Sequence, residues 1–255
     1  TSGNTAVFYA SPNRYPITFK PGEHGTLAGA DATGNVLIEN LTVENTFPTA
    51  PAVNAAAGYK NTGWSPALPA ADTQVPVGGG TYTATYAPDE NQKFGYTIEY
   101  RSTTDNRLLN TVTVADQYPV ETALTVNADT SALPAGYTLS GEASRALTIT
   151  AGENKVVFLA QPTAYTVTFK PGTNGALAGA GADGNVVVNN LTVESAFPTA
   201  PAVNAAAGYK HSGWNPVLPT GNMLAGNQEY TATYAPDSAQ LFGYTIEYRS
   251  TTDNR

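Results

Sequence analysis

One fourteen-residue tract, FPTAPAVNAAAGYK, occurs at Phe47–Lys60 and again, letter for letter, at Phe197–Lys210. The match extends outward at the same offset, since Tyr15-Pro-Ile-Thr-Phe19-Lys-Pro-Gly faces Tyr165-Thr-Val-Thr-Phe169-Lys-Pro-Gly, and Gly63-Trp64 faces Gly213-Trp214. A second tract, FGYTIEYRSTTDNR, occupies Phe94–Arg107 and recurs at Phe242–Arg255. A sequence that repeats itself over such a long period is a row of equivalent units, which bounds the fold before any single residue is weighed. The chain of 255 residues therefore reads as several small modules and not one large domain.

The alignment sets the boundaries. Segments 15–88 and 165–236 are copies of one module type, and 95–162 is a second type between them. Residues 1–14 align with 151–164, so they read as the last strand of a preceding module of the second type. Residues 243–255 repeat the start of that type, and read as the first strand of a following one. Within each module apolar residues alternate. Tyr15, Ile17 and Phe19, then Tyr82, Ala84 and Tyr86, then Tyr96, Ile98 and Tyr100 fall on every second position. That period marks half-buried strands. Pro51 with Gly58 brackets a stretch able to form one or two helical turns, with an extended proline-rich path as the alternative. Thr122–Ala132 is a second helix candidate, with Leu124 as its buried residue. The joins, 87–93 and 161–164, are short and contain proline, so they should act as semi-rigid hinges in an elongated array. Small modules of this size are marginal alone, which predicts contacts between them at Pro88, Phe94, Pro162, Pro236 and Phe242.

Composition removes whole classes of function. The net charge is −8, which disfavours nucleic acid and anionic membrane surfaces. There is no cysteine, so disulfides and thiolate metal sites are excluded. No apolar run reaches membrane-spanning length, so no membrane insertion is expected in this segment.

Each module type carries three recognisable tracts. Tyr-x-Val-Thr-Phe, Gly-Tyr-Lys-x-x-Gly-Trp and Tyr-Thr-Ala-Thr-Tyr run in order through the first module type. It resembles the Listeria–Bacteroides (internalin-type B) repeats. The second type, with Tyr96-Thr-Ile-Glu-Tyr100, Leu133-Pro-Ala-Gly-Tyr137 and Val156-Val-Phe-Leu159, is similar to the mucin-binding-protein (MucBP) repeat. These resemblances imply a mainly β chain of tandem small β-grasp (ubiquitin-like) modules from a bacterial surface protein. They also imply an extracellular place and a role as an adhesin stalk or fibre. Partners are then neighbouring copies of the same chain, head to tail or in a continuous array, with a host protein, glycan or mucin as the alternative.

His24 aligns with Asn174, and His211 with Asn61, so a catalytic base would be lost in each second copy; solvated loop positions are expected. Trp64 and Trp214 should anchor the cores of their modules, with a ligand platform as the alternative. Asp31 and Asp183 sit in glycine-rich loops with too few carboxylates for calcium, and read as turn residues. Lys20 and Lys170 with Asn40 and Asn190 have the residue types of an isopeptide pair, though outward polar positions are the favoured expectation. No nucleophile–base pattern, phosphate loop or cofactor motif stands out, so neither catalysis nor a cofactor is expected. The terminal segments, with Val7 and Phe8 at one end and Tyr244, Ile246 and Tyr248 at the other, are candidate strands for pairing with another chain.

Overall fold

The computed structural model describes residues 3–252. It is mainly β, with several small sheets in tandem. Backbone contacts divide the chain into two compact units. One holds the residues up to Glu99 with Thr111–Ala128 and Ser144–Val157; the other holds Tyr100–Asn110, Asp129–Ala143 and everything from Phe158 on. The division falls inside segment 95–162.

In the first unit, β1 (Tyr15–Lys20), β3 (Val36–Leu41), β5 (Tyr59–Ser65) and β6 (Gly80–Pro88) form a sheet of order β3-β1-β6-β5. The first strand lies antiparallel to β3 and parallel to β6, placing Phe19 opposite both Val36 and Tyr82. Alternation thereby delivers Ile17, Phe19 and Tyr82 to one face, where Leu27 and Val75 join them out of water. Each such side chain contributes roughly 1.5–3 kcal/mol of transfer free energy. The aromatic members meet edge to face: Phe19 and Trp64 centroids are 5.1 Å apart at 68°, and Phe47 and Tyr82 are 5.2 Å apart at 82°. The pairing of β1 with β3 shifts register between Tyr15 and Ile17. Asn40 takes a left-handed φ of 62° in the strand opposite, a conformation that asparagine tolerates.

Of the two conformations open to Pro51–Gly58, the chain takes the extended one. Val53–Ala55 is a strand, β4, paired antiparallel with β2 (Gly25–Leu27). The ladder satisfies the backbone and turns Val53 onto the core, which an isolated two-turn helix could not do as cheaply. Residues Thr122–Ala132 fail as a helix for a related reason. Leu124 and Val126 face inward while Ala123 and Thr125 face out, so Ala123–Asn127 is a strand, β9, laddered with β11 (Ser144–Thr148). Only Thr130–Ala132 makes a single 3-10 turn, capped by the Asp129 carboxylate.

The second unit repeats the same sheet with β13 (Tyr165–Lys170), β15 (Val186–Leu191), β17 (Tyr209–Asn215) and β18 (Gln228–Pro236). Phe169 again faces Val186 and Tyr230, and Asn190 repeats the left-handed turn with φ 59°. Two residues fewer in one loop put Met223 where Val75 stands, and both are buried. A flexible thioether suits that role of filling a slightly altered gap. The middle segment contributes β7 (Phe94–Ser102), β8 (Leu108–Tyr118), β10 (Tyr137–Ser140) and β12 (Lys155–Pro162), in the order β10-β12-β7-β8.

The terminal segments carry no strand: 3–14 and 243–250 make no ladder, and Phe8 and Tyr248 are about nine-tenths exposed. Both are copies of strands that lie next to each other in the middle sheet, and alone they have no neighbour to bond. The last three positions of the expected opening strand, 253–255, and the first two of the chain lie outside the described residues.

Candidate functional site

Two places join one module to the next through side chains, and each is internal to one unit. The first is built on Gly58 and Tyr59, at the start of β5. Gly58 has φ +85°, and a Cβ built there would collide with Val120 Cγ1, so only glycine lets the valine seat. Tyr59 Oη donates to Glu121 Oε1 at 2.9 Å. The short connection is clamped to the same glycine: Asp89 N donates to Gly58 O at 2.8 Å, and Gly58 N donates to Gln92 Oε1 at 2.9 Å. The His24 ring stacks on Tyr59, centroids 3.8 Å apart and planes 5° from parallel. Burial, and then the bond to Glu121, raise the Tyr59 phenol above its ordinary range.

The second joint repeats this chemistry with different partners. Gly136, φ +88°, makes room for Val193 in the same way. Tyr137 Oη donates to Glu194 Oε1 at 2.7 Å, and Thr163 N donates to Gly136 O at 2.8 Å. Here the carboxylate gathers more. Ser102 Oγ and Arg107 Nη2 each donate to Glu194 Oε1 at 3.0 Å, and Arg107 Nη2 also donates to Tyr137 Oη at 2.9 Å. The Tyr137 hydroxyl is the main reason that Glu194 is held below the ordinary carboxylate range, with Thr104, Ser102 and the Arg107 charge adding to it against the opposing effect of burial. Burial chiefly raises the Tyr137 phenol, and the Glu194 bond adds to that. A cleft of about 610 Å³ opens beside this joint, bordered by Asp105, Arg107, Tyr137, Glu194 and Asn222 among others.

The residues expected to bridge modules sit differently. Pro88, Pro162 and Pro236 close their own ladders opposite Tyr59, Tyr137 and Tyr209. Phe94 does lie against Gly58, and Phe242 holds the matching place beside Gly208 but is two-thirds exposed. What sequence reasoning missed is the pairing of a Gly-Tyr step with a Val-Glu step. The signal was present as Gly58-Tyr59, Gly136-Tyr137 and Gly208-Tyr209, against Val43-Glu44, Val120-Glu121 and Val193-Glu194.

The other candidates are placed as follows. Trp64 and Trp214 pack edge-on against Phe19 and Phe169 at the rims of the two cores. Trp214 also borders an open hollow of about 420 Å³ with Ser212, Val217 and Thr233. His24 is half-buried in its stack and not a freely solvated loop residue, whereas His211 is exposed, edge-on to Trp214. Asp31 caps its own loop by accepting from Thr33 N at 2.7 Å and Asn35 N at 3.2 Å, and Asp183 caps the equivalent loop through Asn185. Lys170 pairs with Glu229 at 2.7 Å. Among the described residues no group of three or more His, Cys, Asp or Glu is placed to hold a metal ion, and no helix is long and apolar enough to cross a membrane. No protein-family model and no curated protein matches the chain.

Proposed function

We propose that this chain is a structural repeat segment of a bacterial cell-surface adhesin stalk or extracellular fibre. Its modules are of internalin-B-repeat and MucBP type, and their sheets are β-grasp-like. Two features support the β-grasp assignment: the first and last strands of segments 15–88 and 165–236 run side by side and parallel, at the centre of the sheet. The observation that carries the function is the clamped joint. A connection of a few residues, bonded to the glycine of one module while a Val-Glu corner of the next seats on it, resists bending and passes load between neighbours.

Solution scattering and negative-stain micrographs test it. The expected result is a maximum dimension that grows in proportion to the number of modules as they are added. A particle that keeps the radius of a compact sphere of equal mass would overturn it.

A second reading, recognition of mucin glycan or a host protein, is favoured by one observation. The Trp214 hollow brings the indole together with the Ser212 and Thr233 residues, an aromatic-and-hydroxyl lining of the kind that suits a sugar ring. Binding on a glycan array that disappears with Trp214→Ala, in a variant that keeps its fold, would establish it.

A further inference from the structure

We propose that the Gly-Tyr and Val-Glu steps form one general connector, and that the Gly208-Tyr209 step is a vacant socket for the Val-Glu corner of a further in-line module. The inference deepens the fibre reading and rests on it only for the identity of the occupant. Three observations carry it. First, the connector works across both module types: a second-type module plugs into Gly58-Tyr59, and a first-type module plugs into Gly136-Tyr137. The shared elements are a valine on a left-handed glycine and a tyrosine hydroxyl on the next-door glutamate. The same Ala-Gly-Tyr step opens both sockets, at 57–59 and 135–137, although most of the surrounding residues differ.

Second, the unused copies are already shaped. At Gly208 φ is +84°, Asp237 N donates to its carbonyl at 2.8 Å, and its N–H donates to Gln240 Oε1 at 2.8 Å, reproducing the clamp at Gly58. Phe242 lies beside Gly208 as Phe94 lies beside Gly58. A socket whose backbone is preset loses little entropy on docking. The plug is preset as well: Glu44 N donates to Thr42 Oγ1 and Glu194 N to Thr192 Oγ1, both at 3.3 Å.

Third, exposure differs as filled and vacant sites should. Gly58 is buried and Tyr59 half-buried, while Gly208 is only half-buried and Tyr209 exposed. Glu194 is half-buried in its joint, and its copy Glu44 is exposed. The occupant follows from continuity with the filled joints: a β module with a Val-Glu corner, joined through the stretch that begins at Asp237. The chain itself dictates which test protein to make. Since Phe242–Arg255 repeats Phe94–Arg107, adding a copy of residues 108–162 after Arg255 completes a second-type module identical to the one that fills Gly58-Tyr59.

The readout is tyrosine nitration, followed by peptide mass spectrometry, in the original and the extended chain. In the original, Tyr209 and Tyr248 react faster than Tyr59 and the buried Tyr100. In the extended chain Tyr248, the copy of Tyr100, becomes protected, which reports that the new module has folded. Tyr209 then falls to the rate of Tyr59. Exchanging the added module's glutamate equivalent to Glu121 for alanine, together with its valine equivalent to Val120, restores Tyr209 reactivity and leaves Tyr248 protected.

Protection of Tyr248 with Tyr209 still reactive overturns the inference. So does a Tyr248 that stays reactive, because a module of identical sequence folds against Gly58-Tyr59. Association of the unextended chain with itself that protects Tyr209 and is abolished by Glu44→Gln would assign the socket to a second copy, and overturn the in-line occupant. Scattering on the same proteins keeps the two readings apart. Protection without lengthening removes the fibre and keeps the connector; lengthening without protection does the reverse.

Discussion

The two joints share a backbone and differ in what surrounds the carboxylate. At Tyr59 the glutamate, Glu121, takes one hydroxyl bond, and the tyrosine ring is steadied from behind by His24. At Tyr137 the glutamate, Glu194, takes that bond plus Ser102 and Arg107, and no histidine is involved. The comparison separates what a joint needs from what tunes it. The left-handed glycine, the valine and the tyrosine hydroxyl are common to both. The ion pair and the aromatic stack are local additions of unequal strength.

The most damaging change should be to the common part. Gly58→Ala and Gly136→Ala each force a side chain into a left-handed backbone and against a valine. Each should cost about 2–4 kcal/mol in denaturant unfolding. Gly208→Ala bears the backbone strain without the valine, and should cost less by the difference. Equal losses at all three positions would show that the valine contact adds nothing.

Glu194→Gln comes next. It leaves Ser102, Tyr137 and Arg107 facing a neutral acceptor, and should cost about 1–2 kcal/mol, whereas Glu121→Gln, with a single bond at stake, should cost about half of that or less. Similar losses would erase the distinction between the joints.

Acid should act on the second joint. The folded Glu194 carboxyl lies below its ordinary value, so the stabilisation is present above the unfolded value of about 4.3 and is lost as the pH falls through the folded one. Between pH 7 and 5 unfolding midpoints should hold steady. Below about 4 the native chain should weaken more steeply than the Glu194→Gln variant does. Parallel curves would contradict the assignment. The smallest effect is expected from His24→Asn, which installs the residue of the second copy. A stack that is half in water should be worth no more than about 0.5–1 kcal/mol.

Much of this architecture was legible in the letters. Ile17, Phe19 and Tyr82 announced their strands by alternation, and the repeat announced two copies of one four-stranded sheet. Trp64 and Trp214 were recognisable as core-packing residues because each copy of the first-type segment has a single tryptophan and each follows the same glycine. The helix candidates at Pro51–Gly58, where an extended path was the alternative, and at Thr122–Ala132 each give a strand, at Val53–Ala55 and Ala123–Asn127, because short apolar stretches take the form their neighbours offer. Val53 and Val126 found ladders in β2 and β11. The joints were harder to see. Gly58 looks like a helix terminator until its φ and Val120 are known, and Glu121 and Glu194 look like ordinary surface acids. A contact between residues as far apart as Tyr59 and Glu121 leaves no local pattern. The trace was that Val-Glu and Ala-Gly-Tyr recur in both types of segment.

The claim that a glycine–tyrosine step in one module and a valine–glutamate step in the next act as one energetic unit is tested most directly by a double-mutant cycle on Tyr137→Phe and Glu194→Gln. The account predicts a coupling of about 1 kcal/mol between them in equilibrium unfolding. Losses that simply add, to within about 0.3 kcal/mol, would contradict it.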